Sequence, residues 1–306
     1  MTTIDRPVRS RRHRPARRLS LTVTTASALL MSVAGCAADA PSTGPHPGST
    51  TRSPSPKPVP VWRTDPASIA ALGDSITVGF DACTILSDCP EVSWATGTDP
   101  KVDSLARRLV KNPAKQSWNH ARTGALMSDL PEQVAQAAAH RPELVTVLIG
   151  ANDACRNDVR TMTPQAGFRA DFAAAMKSLR RTLPRTQVYV AAVPDLLRLW
   201  SEGRKNPLGK QVWKLGICGS MLHDPDNLTM KADKRRKKVQ ERVMAYNAAL
   251  ADVCAKDPLC RFDPSVFDYR FTGQQLSTWD WFHPGTRGQQ ELASLAFRAI
   301  TREERP

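Results

Sequence analysis

Short apolar runs separated by amphipathic stretches dominate the chain from about residue 65 onward. Three of these runs, 69–72, 144–149 and 188–193, have the length of buried strands, and the last two show no alternation of polar and apolar residues. Strands without such alternation are typically covered on both faces. The pattern therefore predicts a sheet that is buried between two layers.

Apolar residues recur at helical spacing between and after these runs. The predicted helices carry Val134–Ala139 after a cap at Asp129; Phe168, Phe172, Met176 and Leu179 after Thr163-Pro164; Val239, Val243, Tyr246, Leu250 and Val253; and Leu292, Leu295 and Ala296 after Thr286–Gln289. Strands that alternate with helices indicate an α/β fold with a central parallel sheet and helices on both faces. We expect one such domain over residues 65–306, with an irregular segment at about 196–233 that covers the site.

The amino-terminal part of the chain has the pattern of a signal peptide followed by a tether. Seven arginines fall between Arg6 and Arg18, and an uncharged stretch follows from Leu19 to Gly35, as in a secretory signal. The stretch ends in Val33-Ala34-Gly35-Cys36, which resembles the lipobox of bacterial lipoproteins, where the cysteine thiol carries diacylglycerol. We predict a lipoprotein signal peptide over 1–35 and a mobile Pro/Ser/Thr-rich tether over 36–64.

A lipoprotein signal peptide predicts that the domain lies outside the cytoplasm, either held on the membrane by a lipid on Cys36 or secreted. Twin-arginine export at Arg17-Arg18 fits the flanking residues poorly. Residues 1–36 hold seven Arg and one Asp, so their removal lowers the formal charge from +14 to +8. Much of the remainder lies in a basic run, Lys231, Lys234, Arg235, Arg236, Lys237 and Lys238. In an exported protein we interpret this run as a solvated helix start that touches anionic lipid or wall polymer, and we expect no nucleic-acid partner.

Six cysteines follow Cys36, and an even number in an exported domain implies disulfides. Fifteen pairings are possible in principle. Cys83 with Cys89 and Cys254 with Cys260 are close in sequence, which leaves Cys155 with Cys218. No cysteine or histidine cluster has the spacing of a metal site, so we expect no metal and no organic cofactor.

Candidate chemistry begins at a serine that follows the first apolar run. Gly73-Asp74-Ser75 ends the predicted strand in a tight turn, which lifts the Ser75 hydroxyl to the carboxyl edge of the sheet. A serine becomes nucleophilic when a histidine removes its proton and a carboxylate fixes the imidazole. Asp280 and His283 are three residues apart on a loop or single turn before the last predicted helix. We predict that Asp280 orients His283 and that His283 faces Ser75.

Acyl transfer also needs hydrogen-bond donors for the developing oxyanion. Gly124 can offer a backbone N–H from a turn at a strand end. Asn152, at the end of the strand predicted over 144–149, can offer its side-chain amide, and Ser75 can offer its own backbone N–H. These three residues are the predicted oxyanion hole.

Four blocks, in this order, resemble those of the SGNH (GDSL) hydrolase family: Gly-Asp-Ser at Ser75, a Gly after Asn-x-Ala-x-x at Gly124, Gly-x-Asn-Asp at Asn152, and Asp-x-x-His at His283. The resemblance covers about residues 68–300. It implies a flavodoxin-like three-layer α/β/α fold and a serine ester hydrolase, with Ser75 as nucleophile, His283 as base and Asp280 as its acid. The six domain cysteines, Pro194-Asp195 after the strand predicted over 188–193 and a Trp beside the Asp-x-x-His block are similar to those of secreted actinobacterial lipases and esterases.

Two alternatives remain open beside a monomeric esterase or lipase. The same residues could serve a deacylase or acyltransferase that acts on cell-surface glycans, or the fold could serve as a non-catalytic surface-binding module. Four tryptophans could stack on sugars or contact acyl chains: Trp200, Trp213, Trp279 and Trp281. We expect Asp74 and Asp153 to bond backbone in their loops, His140 to lie on the surface, and His120 and His223 to be candidates for substrate contact.

Overall fold

A computed structural model describes residues 61–303 of the chain. The predicted signal peptide, the predicted lipid attachment at Cys36 and the predicted tether up to residue 60 lie outside the described residues. Within the described range, five parallel strands form one sheet in the order β2-β1-β3-β4-β5. They are β1 (Ile69–Gly73), β2 (Ser117–Asn119), β3 (Leu144–Leu148), β4 (Gln187–Ala191) and β5 (Cys260–Asp263).

Helices cover both faces of this sheet. Their bounds are α1 (Ser75–Val78), α2 (Leu105–Leu109), α3 (Pro113–Gln116), α4 (Leu130–Ala138), α5 (Ala151–Ala154), α6 (Gln165–Thr182), α7 (Leu196–Gly203), α8 (Pro207–Trp213), α9 (Gly219–Leu222), α10 (Met230–Cys254), α11 (Ser265–Asp268) and α12 (Thr286–Thr301), with 3₁₀ turns at Pro90–Val92, Met127–Asp129 and Val159–Thr161. Helices α4, α6 and α10 pack side by side in one layer, and α2 packs on α12 in the other. The predicted three-layer α/β/α fold is confirmed.

The strands are as fully buried as their sequences predict. Every residue of β1, β3 and β4 is buried, because helices cover both faces of a parallel sheet. The register of β1 with β3 runs from Ile69 opposite Leu144 to Gly73 opposite Leu148. The carboxyl ends of β1 and β3 therefore meet, which brings the loops after Gly73 and Leu148 to one edge of the sheet.

The segment 196–233 is helical where we expected irregular structure. Helices α7, α8, α9 and the first turn of α10 lie within it. Its helices are short and contain Gly and Trp, so no long apolar stripe marks them in the sequence. Packing against the rest of the domain stabilises such short helices more than their intrinsic propensity does.

Three disulfides join Cys83 to Cys89, Cys155 to Cys218, and Cys254 to Cys260. This is the pairing that sequence proximity favoured. The Cys155–Cys218 bond connects the end of α5 to the start of α9, and so ties the 196–233 segment to the loop after β3. Within residues 61–303, no helix combines the length and the hydropathy that a membrane span requires.

Candidate active site

Ser75 lies at the point where β1 passes into α1. The turn requires glycine at residue 73, because a Cβ there would stand 2.4 Å from the Leu148 carbonyl oxygen. Gln133 of α4 binds both backbone groups of Gly73: its amide oxygen accepts from the Gly73 N–H at 2.8 Å, and its amide nitrogen donates to the Gly73 carbonyl at 2.9 Å. The strand end that carries the nucleophile candidate is therefore held by two side-chain hydrogen bonds.

Asp74 caps the short helix that follows. Its Oδ1 accepts from the Ile76 N–H at 3.0 Å, while its backbone carbonyl accepts from Thr77 and Val78. This is the backbone role that the sequence predicts for it. The Asp74 side chain has no exposed surface, and burial raises its pKa to about 7 against the opposing effects of the Ile76 N–H and the positive charge of His283.

Ser75, His283 and Asp280 are brought together as predicted from the sequence. Ser75 Oγ lies 3.0 Å from His283 Nε2, and His283 Nδ1 makes a short hydrogen bond to Asp280 Oδ2. The other carboxylate oxygen, Asp280 Oδ1, accepts from the backbone N–H groups of Phe282 at 2.9 Å and His283 at 3.0 Å. With Nδ1 donating to the carboxylate, Nε2 is free to accept the Ser75 proton.

The charges around His283 and Asp280 suit His283 to act as a base. Burial by itself would lower the pKa of His283, but the charge and hydrogen bond of Asp280, with the charges of Asp74 and Asp81, raise it above the ordinary value. Burial would raise the pKa of Asp280, yet the charge and hydrogen bond of His283 and the two backbone donors hold it below its ordinary value. Asp280 therefore stays ionised and favours the imidazolium that forms when Ser75 loses its proton.

A second carboxylate, Asp81, lies behind His283, and no sequence motif marks it. Ligand-capable atoms of Asp81, Asp280 and His283 all lie within 4.8 Å of one another. Asp81 sits in a left-handed backbone conformation with φ of 55°, and its side chain accepts from the Leu86 N–H. Ser277 fixes the backbone of Asp81, because Ser277 Oγ donates to the Asp81 carbonyl at 2.6 Å. Only the folded chain brings these residues together.

The predicted oxyanion donors occupy different positions. Asn152 lines the same cavity as Ser75 and His283, and its amide donates to the Ala125 carbonyl at 3.0 Å, which leaves its second N–H for a ligand. Among the described residues, no acceptor contacts the Ser75 backbone N–H at the start of α1. Gly124 is exposed, has φ of 82°, and is not among the described residues that line the cavity.

The cavity that contains Ser75 measures about 250 Å³. Its walls are mainly apolar and come from five stretches of the chain, with Ile76, Ala151, Leu196, Leu199, Ile217, Phe282 and Pro284 as the apolar residues. Leu196 and Leu199 belong to α7, and Gly216, Ile217 and Cys218 follow α8, so the segment 196–233 forms one wall of the cavity. An apolar wall beside a hydroxyl and an amide can hold an acyl group.

The same segment also supports the loop that carries the acid and the base. Trp213 Nε1 donates to the Asp280 carbonyl at 2.7 Å. Trp281, between Asp280 and His283, has φ of 54°, which is rare for a bulky residue. It fits because Gly203 and Gly209 pack on it: a Cβ at Gly203 would stand 2.1 Å from the Trp281 carbonyl oxygen. Trp213 and Trp281 therefore position the loop, and neither they nor Trp200 and Trp279 are among the described residues that line the cavity.

Other residues singled out in the sequence lie outside the cavity. Asp153 accepts from the Met127 N–H at 2.9 Å, which is the backbone role predicted for it. His140 is exposed as predicted and stacks on Trp118, and His120 stacks on His140. His223 is exposed and pairs with Asp224 at 2.9 Å. Neither His120 nor His223 is among the described residues that line the Ser75 cavity.

Comparison with known proteins finds one family. The model of the GDSL-like Lipase/Acylhydrolase family matches residues 71–291, which include all five predicted catalytic and oxyanion residues. No curated protein matches the chain significantly.

Solved structures are similar to this chain at low identity and with TM-scores below 0.5. An acetyl xylan esterase from Geobacillus stearothermophilus is 17% identical over 78% of this chain and 96% of that one, with a TM-score of 0.46. A lipase from a goat rumen metagenome is 13% identical over 78% and 99%, with a TM-score of 0.46. A family 3 carbohydrate esterase from Clostridium thermocellum is 13% identical over 76% and 94%, with a TM-score of 0.45.

Proposed function

This chain belongs to the GDSL-like lipase/acylhydrolase family, and on that basis we propose that it hydrolyses carboxylic esters through an acyl-enzyme on Ser75. The observation that carries the proposal is the hydrogen-bonded series from Ser75 Oγ through His283 to Asp280. A hydroxyl, an imidazole of raised pKa and an ionised buried carboxylate in this order can activate the serine at neutral pH.

In the proposed reaction, His283 Nε2 takes the Ser75 proton as Oγ attacks the ester carbonyl carbon. The imidazolium, held by Asp280, then gives that proton to the alcohol oxygen, and the alcohol leaves. Water enters, loses a proton to the same nitrogen and attacks the acyl-enzyme, which releases the carboxylic acid and restores the Ser75 hydroxyl. Each half-reaction returns His283 to its starting state.

We assign the oxyanion to the Ser75 backbone N–H, the Asn152 amide and the Gly124 backbone N–H. Support is strongest for the first two, because Ser75 begins a helix and Asn152 lines the cavity with one N–H free. Gly124 is an exposed turn residue, so its donation requires a substrate that reaches toward it.

The size of the cavity favours a short acyl group. About 250 Å³ is below the roughly 300–1,000 Å³ of pockets that enclose drug-sized ligands. Deacylation or acyl transfer on cell-surface glycans would use the same serine. None of the described tryptophans lines this cavity, so no tryptophan there supports that alternative over simple ester hydrolysis.

We place the enzyme outside the cytoplasm, lipid-anchored through Cys36 or secreted, and acting as a monomer. The basic and apolar sequence of residues 1–35 and the cysteine that follows it support this location. The three disulfides of the domain also fit an oxidising compartment.

The decisive experiment compares wild type, Ser75→Ala and the exposed-serine control Ser128→Ala on p-nitrophenyl esters from acetate to palmitate. We expect Ser75→Ala to lose activity by at least about 10⁴-fold, the control to retain it, and wild type to prefer the short acyl chains. A fluorophosphonate should label wild type and Ser128→Ala but not Ser75→Ala. Wild-type turnover by Ser75→Ala would refute the proposal.

A further inference from the structure

The net charge of the described domain is concentrated in one stretch. Residues 204–238 carry ten Lys or Arg and three Asp or Glu, whereas the rest of 61–303 carries 23 of each sign. The remainder of the domain is therefore neutral overall. An imbalance of this kind creates a local positive potential that attracts anionic partners.

Much of the charged stretch borders two surface cavities that share residues, and we call residues 207–238 the basic face. Lys210 and Lys214 border a surface cavity of about 490 Å³ together with the 224–227 loop. Lys231, Lys234 and Lys238 border a second cavity of about 840 Å³. The two cavities share Asp224 and Asn227, so the lysines of α8 and of α10 flank the same loop.

Arg236 holds this face in shape. Among the Lys and Arg residues of the basic face it alone is buried, and its guanidinium donates to the carbonyls of Asp224 and Asn227, both at 2.9 Å. The same guanidinium lies 4.1 Å from the centre of the Trp200 ring. The 224–227 loop is thus tied to α10 and, through Trp200, to α7.

Large apolar side chains project from the basic face. Leu208, Leu215, Leu228 and Met230 are 70%, 80%, 62% and 81% exposed, and they are four of the nine large apolar residues that are exposed in the described part of the chain. Lysines stand beside them in sequence, Lys214 before Leu215 and Lys231 after Met230. Apolar residues among lysines are typical of surfaces that enter the interface of an anionic bilayer.

We infer that the basic face docks on an anionic lipid surface. Leu215 is followed directly by Gly216, Ile217 and Cys218, which line the Ser75 cavity, so docking would bring the mouth of that cavity to the membrane. An anionic polymer or a nucleic acid could pair with the charges of the lysines, but its binding would not explain why four large apolar side chains are exposed beside them. The inference goes beyond the proposed function, because binding does not require turnover.

The test uses the chain from residue 36 onward with Cys36→Ser, so that neither the signal nor an attached lipid contributes to binding. All five described strands and the core lie within 61–303, so this chain retains the whole fold. Sedimentation with vesicles of phosphatidylcholine, with and without phosphatidylglycerol, measures binding at about 0.1 M salt. We expect binding to the anionic vesicles only.

Two variants separate charge from insertion. Lys231→Gln/Lys234→Gln/Lys238→Gln should weaken binding roughly 100-fold, whereas Lys101→Gln/Lys111→Gln/Lys115→Gln removes equal charge elsewhere and should change it little. Leu215→Ser/Leu228→Ser/Met230→Ser should weaken it roughly tenfold, and Met244→Ser should not. All variants should hydrolyse a soluble short ester at the parental rate.

Three outcomes would overturn the inference: equal binding to both vesicle types, equal losses in the control variants, or tighter binding to soluble polyphosphate with no effect of the apolar substitutions. Failure of the proposed function would appear differently, as an enzyme that binds vesicles but cleaves no ester and takes up no fluorophosphonate.

Discussion

Asp81 and Asp280 bring their carboxyl groups within 4.8 Å of each other behind His283. The two residues are 1% and 0% exposed. Burial and the negative charge of Asp280 raise the pKa of Asp81, while contact with His283 keeps the pKa of Asp280 low. Asp81 therefore ionises at a higher pH than an ordinary aspartate, and its charge adds to the field that stabilises the imidazolium.

Asp81→Asn should shift the acid limb of the pH profile of kcat/KM to lower pH. The substitution removes a negative charge that raises the pKa of His283, so the base stays neutral to a lower pH. A shift of about one unit or less is expected, with little loss of maximal activity, because the amide oxygen can still accept from the Leu86 N–H. Rates on a soluble short ester between pH 5 and pH 9 measure it.

The matched control is Asp88→Asn, which changes an exposed carboxylate in the same loop. Solvent screens that charge, so its profile should overlay that of wild type. An acid limb that stays in place in Asp81→Asn would show that Asp81 does not act on the base through its charge.

Asn152→Ala should lower kcat by roughly 10²–10³-fold and change KM little. The amide is held by its bond to the Ala125 carbonyl and keeps one N–H for the oxyanion, which gains full charge only in the transition state. Steady-state kinetics on p-nitrophenyl acetate separate the two constants. Asn157→Ala, an exposed neighbour outside the cavity, should behave as wild type, and a rise in KM without a fall in kcat would assign Asn152 to ground-state binding.

The sequence predicts those parts of the structure that depend on interactions between residues close together in the chain. β1, β3 and β4 and the turn at Ser75 were predictable because a buried parallel strand reads as a continuous apolar run. β5 is not visible in that pattern, since it contains Arg261, which is buried and donates to the Ala299 carbonyl. Asp81 was not predictable either, because its partner Asp280 is distant in sequence and no repeat or motif links them.

Loss of the Cys155–Cys218 bond should affect both stability and the cavity. In the chain-entropy model the long loop it closes is worth about 4 kcal/mol, and Cys218 lines the Ser75 cavity. We expect Cys155→Ser/Cys218→Ser to lower the free energy of unfolding by about that amount and to raise KM. Urea unfolding and ester kinetics measure the two effects.

The comparison variant is Cys254→Ser/Cys260→Ser, whose disulfide closes a short loop between α10 and β5. It should lose about 2 kcal/mol and keep the wild-type KM, because neither cysteine is among the described residues that line the cavity. Equal changes in KM would mean that general destabilisation, and not the wall formed by 216–218, governs substrate binding.

Asp74→Asn should make stability less dependent on pH. The carboxyl has a pKa of about 7 in the folded protein and about 4 when unfolded. Between these pKa values the unfolded chain has lost a proton that the folded chain still holds. The free energy of unfolding therefore falls as the pH rises through this window and does not change further above it. For a fully buried group the effect is at most about 4 kcal/mol.

Asparagine mimics the protonated carboxyl and can still cap Ile76 through its amide oxygen, so the variant should match wild type near pH 4 and exceed it increasingly toward pH 7.5. Urea unfolding at pH 4.5, 6 and 7.5 measures the difference. Asp268→Asn, which changes an exposed carboxylate, should show no such trend. A constant loss of stability for Asp74→Asn at every pH would mean that residue 74 is ionised in the folded protein and that its charge stabilises α1, since the first turn of a helix favours an anion.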